Sequence, residues 1–373
     1  MLLSDRGLAL GGGLAWLRDG RLIYISYAGR DVTQFEEGIW QIKVDVGAGQ
    51  PSGRATRIAS WPGTYSGTPG VSNDGKHLAF VKMHAWTDIY VGELKDKGTR
   101  LGPPKRFTSS ESWNTPDAWT RDSSTILFIS NRTGSFQIFK QRLGTDTAEP
   151  FLKGQDNQFG ALLSPDATWI LYWSTARGPS SPTTSWLMRV PATGGPPEQV
   201  VELPVDRTID FRCPLRPPGT CIISRGEQEE LVFYFLDPLR GQGKEAIRTK
   251  LGKAGDAQWS LSPDGSRIVV VSRAQIPEKM RILDLKNGTE HDVQLPSGWI
   301  VEDPTWTADG NSIFAVINSS RMYIANIGLD GKTSVVLDGI HSWAWSLRPS
   351  PDGKQLAYWQ RVDQSNVWLL ENF

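Results

Sequence analysis

A short phrase recurs along the whole chain: a tight turn built around an aspartate, followed at once by a run of β-branched and aromatic residues. It reads "WLRDGRLIYIS" at 16–26, "VSNDGKHLAFV" at 71–81 and "WTRDSSTILFIS" at 119–130. It returns as "LSPDATWILYWS" at 163–174, "LSPDGSRIVVVS" at 261–272, "WTADGNSIFAVI" at 306–317 and "RPSPDGKQLAYW" at 348–359. The anchoring aspartates are Asp19, Asp74, Asp122, Asp166, Asp264, Asp309 and Asp352, and the steps between them are 55, 48, 44, 98, 45 and 43 residues. The 98-residue step is about twice the others. At its middle lies "FRCPLRPPGTCIISR" (211–225), with Pro218-Gly219 where Asp-Gly would stand, which makes eight copies.

The chemistry of the phrase is that of an inner hairpin. Proline presets φ at the second turn position, Asp suits the third, and Gly takes the left-handed conformation that lets two antiparallel strands separate. The apolar run that follows suits a strand buried on both faces. Each copy then carries a third strand, such as "GIWQIKVD", "SFQIFKQRL" or "KMRILDLK", and most carry a more polar fourth, such as "PKRFTSS" or "HDVQLP". Four strands at a period of 43 to 55 residues are the signature of propeller blades.

The expected fold is therefore all-β: one eight-bladed β-propeller of four-stranded antiparallel blades, spanning 1–373 as a single domain. The blades fall at about 10–60, 61–110, 111–154, 155–202, 203–252, 253–296, 297–339 and 340–373. The last copy stops at its third strand, "SNVWLLENF", and residues 1–9 resemble a fourth-strand segment. The N-terminal strand is thus expected to complete the last blade and close the ring, removing two exposed sheet edges.

Forty basic and forty acidic residues cancel, which argues against nucleic acid as a partner. No stretch approaches 18 apolar residues, so no membrane insertion is expected. The start, "MLLSDRGLALGGGLAWLRDG", lacks a basic region followed by an apolar one and does not read as a signal peptide. A monomer is expected.

Little in the sequence points to chemistry. The four histidines, His77, His84, His291 and His341, have no local metal-ligand spacing, and no G-x-S-x-G nucleophile elbow appears. "GLDGKTS" (328–334) contains Gly-Lys-Thr, but Asn326 stands where a phosphate loop needs glycine, and "GGG" at 11–13 lacks dinucleotide-site spacing. The reading is no catalytic, cofactor or metal site and no cofactor. An enzyme, hydrolase or lyase, with catalytic groups dispersed over several blades would leave no local motif and stands as the alternative.

Cys213 and Cys221, in "CPLRPPGTC", could form a disulfide across a wide turn or be two small buried hydrophobes. In a propeller the Asp turns share one face and the remaining connections the other. That second face is expected to hold Trp61, Tyr65, Trp86, Trp113, Phe159, Trp299 and Trp343, a candidate surface for a protein or small-molecule ligand at the mouth of the channel. The plainer alternative is that these rings pack between blades.

The repeats "SPDG-x-x-(apolar run)-S" and "ISNRTGSFQIF" resemble TolB-type propeller repeats, relatives of the WD-repeat class. More narrowly, "GGGLAWLRDGRLIY", "DAWTRDSSTILFISNR", "LMRVPATGGPPE" and "SNVWLLENF" resemble the C-terminal propellers of bacterial membrane-anchored serine/threonine protein kinases and winged-helix regulators. That resemblance implies a non-catalytic sensory or binding module. It also implies an extracytoplasmic, oxidising location in which Cys213 and Cys221 pair. A stand-alone chain would instead be cytoplasmic, and a TolB-like scaffold role in an envelope complex is a further alternative. The kinase motifs themselves, the Gly-rich loop, H-R-D and D-F-G, are absent from the sequence, so no catalytic residue carries over.

Overall fold

The computed structural model describes residues 13–373 except 29–35, 63–64, 67–68, 178–181, 207, 252–256, 273–278 and 341. Among the described residues every regular element is a β-strand apart from one 3-10 turn at Asp96–Gly98. The chain divides into two compact units. Among the described residues, the smaller comprises those up to Trp86 and Val362–Phe373, and the larger Thr87–Arg177 and Pro182–Arg361. Two long strands, His77–Lys95 and Gln355–Glu371, each contribute to both units.

In the smaller unit, Leu14–Trp16, Arg21–Ala28 and Glu36–Asp45 run antiparallel, and Gln50–Pro51 and Thr56–Pro62 both pair with Glu36–Asp45. Tyr65–Ser66 and Gly70–Val71 pair with the first part of His77–Lys95. Leu17, Ile23, Ile25 and Ile39 pack against Leu78 and Phe80, with Leu370 and Phe373 at the margin.

The larger unit holds six sheets. Sheet one is Asn114–Trp119, Thr125–Ser130, Gln137–Arg142 and Glu149–Pro150; sheet two is Asn157–Leu163, Trp169–Thr175, Thr184–Pro191 and Glu198–Pro204. Sheet three is Asp210–Arg212, Cys221–Glu227, Glu230–Asp237 and Gly241–Lys250; sheet four is Ala257–Leu261, Arg267–Ser272, Lys279–Asp284 and Thr289–Gln294. Sheet five is Ile300–Trp306, Ser312–Asn318, Met322–Gly328 and Thr333–Ile340. Sheet six joins Ala344–Pro349 and the first part of Gln355–Glu371 to the second part of His77–Lys95 and to Lys105–Arg106. Leu94 N–H donates to the Lys354 carbonyl where the two long strands meet.

Neighbouring sheets bury apolar side chains against each other in succession. Leu127 and Ile138 of sheet one meet Ile170 and Val190 of sheet two, and Leu171 and Leu187 meet Phe211 and Ile223 of sheet three. Ile222 and Phe233 meet Trp259 and Ile268, and Val269 and Ile282 meet Trp306 and Ile313. Phe314 and Ile324 of sheet five meet Leu347 and Tyr358 of sheet six. The succession then returns to sheet one, where Ile89 and Ala357 meet Trp119 and Phe128. Each such side chain contributes about 1.5–3 kcal/mol on burial, which explains why the second strand of each hairpin is apolar on both faces.

The hairpin turns are held by a side-chain bracket. Ser262 Oγ donates to Asp264 at 2.6 Å, and the same carboxylate accepts the backbone N–H of Ser266 at 3.0 Å. The pairs Thr120–Asp122, Ser164–Asp166, Thr307–Asp309 and Ser350–Asp352 repeat the hydroxyl–carboxylate contact. Gly265 takes φ 73°, and the copies without glycine place Ser123 and Ala167 at φ 58°. Sheet three has no aspartate at this turn; Cys213 and Cys221 are joined there by a disulfide.

The closed eight-bladed propeller expected from the repeat count is not formed. Six sheets, not eight, pack in succession within one unit, and each sheet is an open path of strands with two ends. Sheet six is completed by Thr87–Lys95 and Lys105–Arg106 rather than by residues 1–9, which lie outside the described residues. The reason lies in two long strands. Between Gly75 and Asp88 no Gly, Pro, Asn or Asp interrupts the chain, so the hairpin at 71–81 and the strand "DIYVGELK" are one extended run, His77–Lys95. "SNVWLLENF" likewise continues Gln355–Glu371 instead of forming a separate third strand.

Candidate functional site

The first strands of all six sheets in the larger unit converge on a cavity of about 140 Å³. Four of these strands carry a bulge at a corresponding place: between Pro116 and Ala118, Phe159 and Leu162, Glu302 and Thr305, and Trp345 and Arg348. A bulge leaves backbone groups unpaired and re-aims a side chain. Asp117 and Asp303 sit inside two of the bulges, Asp303 with φ 49°.

The freed backbone groups are satisfied across sheet boundaries. Asp117 Oδ2 accepts the Ala161 N–H of the next sheet at 2.9 Å, and Asp303 Oδ2 accepts the Leu347 N–H of the next sheet at 2.5 Å. Gln258 Oε1 accepts the Asp303 N–H at 2.5 Å in the same sense. Arg348 binds in the other direction: its Nε donates to the Asp117 carbonyl at 2.8 Å and its Nη1 to the Leu347 carbonyl at 2.9 Å. Arg212 is paired with Asp210 at 2.6 Å and lies over the Trp259 ring.

Burial sets the electrostatics. It pushes the Asp117 carboxyl up to about 7, against the Ala161 N–H and the nearby Arg348 charge, which favour ionisation. Burial also raises Asp303, opposed by Arg348 and the Leu347 N–H, and it lowers Arg348, opposed by Asp303. Around this polar floor the wall is apolar: Trp119, Trp259 and Trp306 with Pro214, Pro263, Pro304, Pro349 and Pro351. The disulfide-closed loop of sheet three supplies Cys213, Pro214 and Leu215 to the wall, and Leu215 N–H donates to the Pro263 carbonyl at 2.9 Å.

None of the seven aromatic residues singled out in the sequence lines this cavity. Phe159 packs on Phe136 with ring centroids 5.3 Å apart, and Trp299 meets Tyr323 edge-on at 5.6 Å. Trp113 is half-buried, its N–H bonded to Asn131, whereas Trp343 is 47% exposed. In the smaller unit Trp86 is buried beside His84, and Trp61 and Tyr65 lie in strands Thr56–Pro62 and Tyr65–Ser66. Of the cavity residues that sequence reasoning missed, Asp117 and Asp303 carry a faint signal, since "PDAWTRD" and "EDPTWTAD" both set an aspartate just before the tryptophan of the repeat, whereas Arg348 carries none.

Among the described residues no group of three or more His, Cys, Asp or Glu side chains is placed to hold a metal ion, and no helix is long and apolar enough to cross a membrane. No family model and no curated protein matches the chain. Solved structures do. The crystal structure of TolB from Acinetobacter baumannii superposes with a TM-score of 0.51 at 16% identity, over 95% of this chain and 81% of that one. The chain has a distant TolB-like β-propeller fold. Lower in similarity are a puromycin hydrolase (TM-score 0.46, 13% identity, 95% of this chain and 60% of that one) and an oligogalacturonate lyase in complex with manganese (0.42, 14%, 78% and 76%). At these identities the likeness to the TolB-like fold concerns architecture alone.

Proposed function

We propose that the chain is a non-catalytic binding module whose site is the cavity among the six inner strands, and that it takes a protein segment or a small molecule there. The observation that carries this reading is how the polar floor is used. The carboxylates of Asp117 and Asp303 are each engaged by a backbone N–H of the neighbouring sheet, so they brace a preformed apolar cavity rather than stand free as bases. A preformed pocket walled by tryptophan and proline binds without first ordering itself. The finer reading is the sensor part of a bacterial signalling protein with its propeller outside the cytoplasm. The Cys213–Cys221 disulfide supports it, because such bonds persist in oxidising compartments.

The test is a fragment screen read by NMR on the indole N–H signals, with those of Trp119, Trp259 and Trp306 assigned by single Trp→Phe substitutions. Ligands of the cavity shift these three, and Ala118→Trp, which fills the cavity, abolishes the shifts. If hits move only the signals of other tryptophans, the site is elsewhere and the reading fails.

A further inference from the structure

We infer that the cavity recognises the carboxylate of an otherwise apolar ligand, with Arg348 as the group that binds it. This rests on the binding-module reading above and names the ligand chemistry of the same site.

Arg348 is half-buried in the cavity wall, and its hydrogen-bond partners are two neutral carbonyls, those of Asp117 and Leu347, bound through Nε and Nη1. No carboxylate of the described residues forms an ion pair with it. Asp303, Asp117 and Asp210 act on it only through space. A guanidinium partly withdrawn from water without a hydrogen-bonded counter-charge is costly, and an anion that reaches it offsets that cost. Two carbonyls fix its plane, which leaves Nη2 and the second Nη1 proton for a ligand, and a planar fork of this kind suits a carboxylate.

The other charges at the site agree. Asp303 and Asp117 turn a carboxylate oxygen toward backbone N–H groups, and Arg212 already has Asp210. Arg121, exposed at the rim of the cavity, has no partner among the described residues and adds positive charge at the entrance. Because burial holds the Asp117 carboxyl near 7, that side chain is only partly ionised near neutrality and repels an incoming anion less than an ordinary aspartate would. The tryptophan and proline wall fits the apolar body of the ligand.

The probes are 3-phenylpropionate and its uncharged isostere 3-phenylpropanamide, titrated into the wild-type chain with the indole signals of Trp119, Trp259 and Trp306 as readout. The acid should bind at least about tenfold more tightly than the amide. Arg348→Gln should erase the difference, weakening the acid more than the amide. Equal binding of acid and amide by the wild type overturns the carboxylate assignment but leaves the cavity as a binding site. Failure of both to move these three signals, while other fragments do, also overturns the assignment alone. Failure of every ligand overturns both readings. If Arg348→Gln does not fold, the wild-type ratio of acid to amide affinity decides the matter.

Discussion

The Asp303 carboxylate accepts the Leu347 N–H at 2.5 Å across the boundary between sheets five and six, and Asp117 makes the same contact to Ala161, likewise 44 residues on, between sheets one and two. Each contact joins a bulge in one sheet to a bulge in the next, so the kinks that shape the cavity are also the points at which neighbouring sheets are fastened.

Asp303→Ala should therefore destabilise the larger unit by about 1–3 kcal/mol, the cost of leaving a buried backbone N–H unsatisfied. Asp303→Asn keeps an acceptor oxygen at the same place and should recover most of that loss. Urea denaturation of both variants checks this, and equal losses in the two would show that charge rather than the fastening matters.

Asp117 makes stability depend on pH in a definite direction. Its folded-state carboxyl titrates at about 7, well above its value in the unfolded chain, so between about pH 4 and 7 the unfolded chain has lost a proton that the folded chain keeps. Stability from this group is full below that window, falls as pH rises through it by up to about 1.4 kcal/mol per unit, and is level above about 7. Asp117→Asn, which cannot ionise, should flatten the profile and gain on the wild type most above pH 7. Parallel wild-type and variant profiles would contradict the assignment.

What was legible in the sequence follows from how local each feature is. The Asp turn is a property of five or six consecutive residues, so the hairpins and the four-stranded repeat could be read directly. The number of sheets in one unit could not, because it depends on where His77–Lys95 and Gln355–Glu371 stop: the first has no breaking residue before Asp88, and the second runs on through Asp363 and Asn366, which read locally as a turn. The hydroxyl partner of each turn, as in Ser262–Asp264, is less legible, because serine and threonine are common in turns for other reasons whereas proline and glycine mark the turn directly. The cavity floor was hidden for another reason. Asp117 and Arg348 are 231 residues apart and meet only when sheet six packs on sheet one.

The disulfide of sheet three replaces the bracket that the other five hairpins make from a hydroxyl and an aspartate. Cys213→Ser with Cys221→Ser should cost about 2–3 kcal/mol, the chain-entropy value for so short a loop. It should also loosen the cavity wall at Pro214 and Leu215. Hydrogen exchange at the Leu215 amide, protected by the Pro263 carbonyl, is the local probe: unchanged exchange in the double variant would mean that the loop holds its shape without the bond.

Trp306 and Trp343 separate packing from exposure. Trp306 is 2% exposed; its Nε1 donates to the Ser260 carbonyl at 3.2 Å and the Arg267 guanidinium lies 4.7 Å from its ring centroid. Trp306→Ala should cost about 3–5 kcal/mol, because it opens a cavity between sheets four and five and removes the indole's hydrogen bond. Trp343, 47% exposed, should tolerate the same change within about 0.5 kcal/mol. Chemical denaturation of the two variants decides between the two uses of an aromatic residue in the repeat. A large loss for Trp343→Ala would place it among the packed rings and remove it from the candidate ligand surface, whereas an unaltered fold leaves it available there.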